Sequence, residues 1–471
     1  MTTLQTILQV LLLIFVVVML FNIIIFVHEL GHFLAGKWRG LQIDRFQIWF
    51  GKPIWKMEHK GVQYGLGWIP AGGFVALPQM APMEAIEGGD KDRPPLPPIT
   101  PMDKIIVAFA GPLFSMLLAL TAALVVWGVG KPKDFVPTQV IGEVVKDSPA
   151  EKAGMLPGDK IVQINGKTVN GFTGTLDSIF ESVVLSSGPE IKFLVERPGL
   201  ADPVPLVSSF EIQPAKWYQR RGLRQVGIAP LSELLVVGGV IPHSPAAKAG
   251  IKEEDVIVSL NGRKFVDSAD AVEFIKSQGF EKIEVVISRD EKSFTLSVQA
   301  KKPLKPADSD PILGVSLFSS PYVDKRIVYP DPFTQVGDSL RMMWTTIVGL
   351  VTPSSNIGID HLSGPVGIAK MQYKLLQMDE GWRRILVFMV LFNVNLAVLN
   401  MMPFPVLDGG HITLALLEKI SGRPVRAKPL EILQTVCALM LMSLMLFVSS
   451  KDIGDSFGHG DKAAKEVIFE E

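Results

Sequence analysis

Two histidines and a glutamate lie close together near the end of the first long apolar segment. His28, Glu29 and His32 form the pattern His-Glu-x-x-His, and no charged side chain precedes them in the chain. In a helix, residues four apart lie on nearly the same face, so both imidazoles can bind one metal ion. Glu29 could then take a proton from a water molecule at that metal. The spacing therefore predicts a zinc-dependent hydrolytic site.

The apolar surroundings of this motif strengthen that interpretation. A charged residue in the middle of a membrane costs about 3 kcal/mol on insertion scales, so three polar groups within five residues need compensation. A bound metal ion would supply it. The alternative is that two ordinary histidines lie at a membrane boundary.

A second polar cluster follows the third apolar segment. Asn400 is followed by Pro403, Pro405 and then Asp408. The two prolines stop a helix, and irregular backbone is tolerated in a membrane only where it faces protein or a polar cavity. We expect Asp408 at the same membrane face as the histidines, as a third zinc ligand that leaves the fourth position for water. The alternative is that Asp408 belongs only to a turn. Asn400 could donate a hydrogen bond to a substrate carbonyl or an oxyanion.

The composition indicates an integral membrane protein with soluble parts. The 471 residues have a net charge of −1, which gives no reason to expect binding to nucleic acid. Mean hydropathy is +0.32, and the single cysteine, Cys437, allows no intramolecular disulfide. Four segments are long enough to cross about 30 Å of hydrocarbon, and the first is too long for a cleaved signal peptide. These segments are residues 7–35, 105–127, 385–407 and 432–450.

Charged residues in the connecting segments predict the orientation. The segments after the first and third spans are both rich in Lys and Arg, and an even number of spans places both on one side. The positive-inside rule makes that side the cytoplasm. Both termini are then extracytoplasmic, and the metal site lies near the cytoplasmic face.

Aromatic residues and glycines predict a β-hairpin of short strands at 41–77, directly after the metal motif. Gly72 and Gly73 in this segment are candidates for contact with an extended substrate, as is Asn395 in the third span. From 78 to 101 the chain is rich in Pro, Gly and acidic residues, which indicates a flexible loop.

An internal repeat occupies the long segment between the second and third spans. Ser-Pro-Ala-x-Lys-Ala-Gly stands at 148–154 and again at 244–250, 96 residues later, with matching Asp, Ile-Val and Asn-Gly positions after each copy. These are two domain-sized β/α units that resemble bacterial PDZ domains, which bind an extended peptide as an added strand. After the repeat, apolar residues at helical spacing predict an amphipathic surface helix at 331–352.

Taken together, these motifs resemble the site-2 protease family of intramembrane zinc metalloproteases. The resemblance covers nearly the whole chain and is closest to the bacterial regulator of sigma-E protease type. It rests on the metal motif, the Phe-Ala-Gly-Pro sequence at 109–112, the tandem repeats and the Asn-x-x-Pro-x-Pro-x-Leu-Asp-Gly sequence at 400–409. Ser115 stands where that family often has Asn, and Ala71 interrupts its usual Pro-Leu-Gly-Gly.

The resemblance implies a complete set of expectations. It matches His28, His32 and Asp408 to zinc ligands, Glu29 to the catalytic base, and Asn400 to a residue that contacts substrate. It implies one Zn²⁺ per chain, a location in the bacterial inner membrane, and cleavage of single-pass membrane proteins such as anti-sigma factors after a site-1-type protease has trimmed them.

The expected fold class is a polytopic α-helical membrane protein with four transmembrane helices, a membrane-associated β-hairpin and two extracytoplasmic PDZ-like domains. The expected segments are 1–36, 103–130, 383–418 and 430–450 for the membrane helices, 37–102 for the hairpin and loop, 136–220 and 221–320 for the PDZ-like domains, 331–352 for the surface helix, and 451–471 for an acidic tail.

Two other functions fit parts of this pattern. Buried His, Glu and Asp also mark ion pathways, so a membrane metal-ion transporter is one alternative. A PDZ scaffold without activity is the other. The His-Glu-x-x-His spacing together with peptide-binding domains disfavours the first, and the intact Glu29 disfavours the second.

Overall fold

The computed structural model describes residues 3–80, 96–289, 292–305, 310–422, 427–458 and 469. Most of the Pro-rich loop expected at 78–101, and most of the acidic tail expected at 451–471, lie outside the described residues.

The described α-helices are α1 (Thr3–Trp38), α2 (Pro101–Val129), α3 (Pro149–Lys152), α4 (Ile179–Val184), α5 (Pro245–Ala249), α6 (Ser268–Ser277), α7 (Pro332–Val351), α8 (Pro365–Gln377), α9 (Gly381–Asn400), α10 (Asp408–Ser421) and α11 (Ala427–Gly458). The described strands are β1 (Arg45–His59), β2 (Val62–Ala76), β3 (Lys131–Pro132), β4 (Ile141–Val144), β5 (Lys160–Ile164), β6 (Lys167–Thr168), β7 (Ile191–Glu196), β8 (Val204–Ser208), β9 (Glu211–Ile212), β10 (Arg224–Gln225), β11 (Ile228–Pro230), β12 (Leu234–Val240), β13 (Val256–Leu260), β14 (Lys282–Arg289), β15 (Lys292–Gln299), β16 (Val315–Ser320) and β17 (Ile327–Val328).

Four of the described helices are long and apolar enough to cross a membrane, as the sequence predicts: they are α1, α2, α9 and α11. The third is shorter than predicted. Helix α9 ends at Asn400, and the segment 401–407 is irregular because it contains Pro403 and Pro405. The prediction of a single span to residue 407 is therefore wrong at its C-terminal end.

Helix α2 lies between α1 and α9 and contacts both along their lengths. Its approach to α1 depends on a glycine, because a Cβ at Gly31 would lie 2.4 Å from the carbonyl oxygen of Ala110. Nearer the other end of α2, buried Ile24, Ala123 and Met389 pack together from the three helices. The three spans thus form one packed layer whose glycine contact lies next to the His-Glu-x-x-His motif.

The segment after α1 is a hairpin, but its strands are longer than the sequence suggests. β1 and β2 have 15 residues each. Both strands bend, so that 45–48 pairs with 63–66 and also with 73–76, and the hairpin folds into a small sheet. Phe46 and Val75 bury the inner face of this sheet against Ala35 and Val107. The hairpin is thereby packed against α1, which carries the metal motif, and against the neighbouring helix α2.

Two β-rich units follow α2. The first contains a four-stranded sheet in the order β6-β5-β7-β8, and a second pair formed by β4 and β11. The second contains a five-stranded sheet in the order β15-β14-β13-β12-β16. The boundary predicted at 220/221 is too early, because β11 returns to pair with β4 and Val226 lies in the core of the first unit.

Among the longer helices, α8 was not predicted from the sequence. Helix α8, between α7 and α9, mixes polar and apolar residues and has no run long enough to identify it. The helix predicted at 331–352 is present as α7, capped by Asp331, whose side chain accepts hydrogen bonds from the backbone of Phe333 and Thr334.

Each β-rich unit contains the same buried ion pair. Asp159 binds Arg197 in the first unit, and Asp255 binds Arg289 in the second, with both carboxylates only 1% exposed. Burial alone would raise the pKa of Asp255. Hydrogen bonds from the Arg289 guanidinium and the Lys252 amide outweigh burial and lower the pKa below its usual range.

We predict that Asp255→Asn lowers the free energy of unfolding of the second unit by about 2–4 kcal/mol, because Arg289 loses its buried partner. A lowered folded pKa stabilises the unit at every pH above the unfolded value of about 3.9, and this contribution disappears as pH falls through the folded pKa. The difference in the free energy of unfolding between the wild-type protein and Asp255→Asn should therefore be constant above about pH 5 and become smaller below pH 4. Pulse proteolysis of the full chain in detergent measures the free energy of unfolding of the second unit in both proteins.

The matched control is Glu196→Gln, which breaks the Lys160–Glu196 pair. The side chains of Lys160 and Glu196 are 45% and 53% exposed, so the free energy of unfolding should fall by at most about 1 kcal/mol. An equal loss in both variants, or no narrowing at low pH, would contradict the role assigned to the buried pair.

Candidate active site

Helix α1 brings its two histidines together one turn apart. The Nε2 atoms of His28 and His32 are 3.3 Å from each other, and their side chains are 10% and 12% exposed. The helical spacing predicted from the sequence is therefore present, and both ring nitrogens face the same point.

Asp408 completes the cluster from a distant part of the chain. Its carboxylate oxygens lie 3.2 Å from His28 Nε2 and 3.3 Å from His32 Nε2. Asp408 begins α10, and the two glycines after it let this helix start directly against the irregular segment. A Cβ at Gly409 would lie 2.2 Å from Met401 O, and one at Gly410 would lie 2.0 Å from Phe404 O.

The other nitrogens of both rings are already occupied. His32 Nδ1 lies 2.8 Å from the carbonyl oxygen of Val107, so it must carry the proton and leave Nε2 as an acceptor. His28 Nδ1 lies 3.0 Å from Ser115 Oγ. Histidines that bind metals are held in this way by a partner on the second nitrogen.

The three side chains fit a divalent cation. His28, His32 and Asp408 each offer one ligand atom, and these atoms all lie within 4.8 Å of one another. Two imidazole nitrogens and a carboxylate oxygen form a donor set that zinc prefers. Without a cation, only protons on the rings could hold the carboxylate and the two imidazoles at these distances.

A glycine in α2 makes room for this cluster. A Cβ at Gly111 would lie 2.2 Å from His32 Nε2 and 2.9 Å from His28 Cε1. A larger residue at this position would collide with His32 Nε2, so a substitution must displace the His32 ring.

Glu29 lies beside the histidines and faces the hairpin. It lines a cavity of about 420 Å³ together with His28, His32 and Asp408. The backbone amide of Val75 in β2 interacts with its carboxylate. A Cβ at Gly73 would lie 3.2 Å from Glu29 Cγ and 3.2 Å from Gln47 O, so glycine at this position keeps β2 close to the acid.

The candidate substrate-binding residues fall into two groups. Asn400, Gly72 and Gly73 line the same cavity, and Asn400 Nδ2 lies 3.4 Å from His28 Nε2. Asn395 is not among the described residues that line it. His411 also lines the cavity.

Ser115 and Gly111 are the two functional positions that local sequence patterns did not identify. Ser115 drew attention only as a departure from the family pattern, and the structure places its fully buried hydroxyl on His28. Gly111 belongs to the Phe-Ala-Gly-Pro sequence, whose occurrence inside an apolar span was the available signal.

Comparison with known proteins agrees with this geometry. The sequence model of peptidase family M50 matches residues 15–444 of this chain. A protein of Ralstonia nicotianae named as a zinc metalloprotease is 28% identical over 90% of this chain and 95% of its own length. Regulator of sigma-E protease RseP of Escherichia coli is 26% identical over 90% of this chain and 94% of its own length.

One solved structure, the PDZ domain of an SdrC-like protein from Listeria monocytogenes, aligns with 18% of this chain and 85% of that domain. Its sequence identity is 20% and its TM-score 0.16, a likeness too weak to assign the fold of either β-rich unit. The family match, by contrast, extends over both halves of the metal cluster, and the chain belongs to peptidase family M50.

Proposed function

We propose that this chain is an intramembrane zinc endopeptidase of the site-2 type, with one Zn²⁺ held by His28, His32 and Asp408. The observation that carries the proposal is the convergence of these three ligands beside Glu29, in a cavity at the ends of apolar helices. A zinc ion bound there would supply a Lewis acid that polarises a substrate carbonyl and acidifies water.

The chain's own residues supply the remaining chemistry. Glu29 accepts a proton from the attacking water on its carboxylate and then delivers it to the leaving amine. Asn400 Nδ2, which lies 3.4 Å from His28 Nε2, donates a hydrogen bond to the oxyanion on the substrate. Val107 and Ser115 hold the two imidazoles in the orientation that ligation requires.

A substrate helix must unwind before its peptide bonds become accessible. Gly72 and Gly73 in β2 line the cavity next to Glu29, and an extended segment could add there through main-chain hydrogen bonds. We propose single-pass membrane proteins, anti-sigma factors among them, as substrates, cut after a site-1-type protease has removed most of their outer domain.

The two β-rich units are proposed to be PDZ-like domains that stand over the membrane on the outer side and exclude untrimmed substrates. This follows from their position between the second and third spans, with both ends tethered. The proposed location is the bacterial inner membrane, with both termini outside. A metal-ion transporter is less well supported, because the described residues contain one such ligand cluster and no second cluster along the spans.

Glu29→Gln should lower peptide cleavage by about 10²–10⁴-fold, because the amide cannot accept the proton. Zinc content should stay near one ion per chain, since Glu29 is not a ligand. Cleavage of a single-pass reporter in detergent and metal analysis of the same preparation measure both quantities. A variant that loses zinc as fully as His32→Ala would refute the separation of roles.

Gly111→Ala should reduce both zinc content and cleavage, the latter by about 10²-fold, because the new methyl group displaces the His32 ring. Gly128→Ala in the same helix is the matched control, since a Cβ there meets nothing within 4 Å. It should retain normal zinc content and activity. Equal behaviour of the two variants would show that Gly111 does not make room for the metal ligands.

Reporter fusions test the proposed sidedness. A fusion after Lys60 should report the cytoplasm, and a fusion within 144–263 should report the outside. If the β-rich units report the cytoplasm, their proposed role as a filter for trimmed substrates fails, whatever the fate of the zinc site.

A further inference from the structure

A buried aromatic ring from beyond the last helix lies on the second β-rich unit. Phe469 is only 6% exposed. A Cβ added to Gly314 would lie 3.2 Å from Phe469 Cε2. Gly314 has a φ of +79° and immediately precedes β16. The Phe469 ring therefore packs at this turn, although Phe469 lies far outside the second unit in the sequence.

The strand that follows this turn offers an open edge. β16 is the last strand of its sheet, and among the described strands it pairs only with β12. Such an edge presents unpaired backbone N–H and C=O groups. PDZ-like domains bind an extended peptide by adding it to a strand of this kind, with side-chain pockets for selectivity.

Helix α11 ends against the first β-rich unit, which directly precedes the second unit in the chain. Near its end, Asp455 Oδ1 accepts a hydrogen bond from the backbone N of Arg220, at 3.0 Å, and Lys451 Nζ donates to Gln219 O at 3.1 Å. Arg220 lies between β9 and β10, in the first of the two units. From Gly458, an eleven-residue step to Phe469 spans at most roughly 36–40 Å.

The first unit provides an internal comparison. Its Gly227 also has a positive φ, of +84°, and also immediately precedes an outer strand, β11. A Cβ there would meet the side chains of Ser148 and Val145, as one at Gly314 would meet Ser244, and no ring from outside the unit is among its three nearest contacts. The seated ring thus distinguishes the second unit from the first.

We propose that the segment after α11 is an internal peptide ligand of the second β-rich unit, with Phe469 as its anchor beside Gly314, at the start of the outer strand β16. A tether of this length gives an effective concentration in the millimolar range. A peptide from another protein must displace this segment before it can bind there. The inference does not depend on the proposed peptidase activity.

The first test is hydrogen exchange on the full chain in detergent. Phe469→Asp, and a chain ended at Gly458, should each speed exchange of the β16 amides by about tenfold or more. Amides of β11 in the first unit should not change. The matched control is Phe280→Asp, which alters a 57% exposed ring of the same unit and should leave β16 unaffected.

The second test uses an amidated peptide of residues 462–471 carrying a fluorophore. It should bind the chain ended at Gly458 and the Phe469→Asp chain, and bind the wild-type chain at least about tenfold more weakly because the site is occupied. The same peptide with Phe469→Asp should bind none of them.

Three results would overturn the proposal. One is unchanged β16 exchange in both variants. Another is equal binding of the peptide to wild-type and shortened chains, or binding to neither. The third is β16 protection that rises with protein concentration, which would assign the ring to a second copy of the chain.

Discussion

The close approach of α1 and α2 is the constraint on which the site depends. Gly31 allows the backbones of the two helices to touch, and Gly111 leaves space for the His32 ring. At this distance α2 also supplies the Val107 carbonyl and the Ser115 hydroxyl that orient the two imidazoles. A helix pair separated by ordinary side chains could carry the same motif without holding it in a ligating geometry.

The remaining parts of the site are positioned around that helix pair. The hairpin packs on the same two helices and brings Gly73 and the Val75 amide against Glu29. On the other side, the break after α9 turns the chain so that Asp408 faces the histidines. The end of this irregular segment lines the cavity, and irregular backbone is tolerated in a membrane where it faces protein or a cavity. Each local departure from regular helix thus places a residue of the proposed catalytic site.

Much of this arrangement can be predicted from the sequence. The spacing of His28 and His32 is local, and it survives because α1 continues through both residues. Asp408 was identifiable because the prolines before it rule out a continuing helix. The hairpin was also visible, but its strand length was underestimated, since the bends at 49–53 and 67–72 interrupt the alternation of apolar residues.

Contacts between distant residues were not predictable. Ser115 and His28 are 87 positions apart, and neither residue type reveals the partner of the other. The boundary between the β-rich units failed for the same reason, because β11 joins a strand formed about 85 residues earlier. The repeat predicted two units, but only the pairing of β11 with β4 shows that the residues near 228 belong to the first unit.

X-ray absorption at the zinc edge of the purified full chain tests the central claim most directly. We expect two imidazole nitrogens and oxygen ligands at about 2.0–2.2 Å, with no sulfur shell. Asp408→Ala should remove one oxygen ligand or the metal itself, and Glu29→Gln should leave the two-histidine ligand set intact. A spectrum that is unchanged by Asp408→Ala, or one that loses its imidazole signal in Glu29→Gln, would contradict the assignment of His28, His32 and Asp408 as the metal ligands.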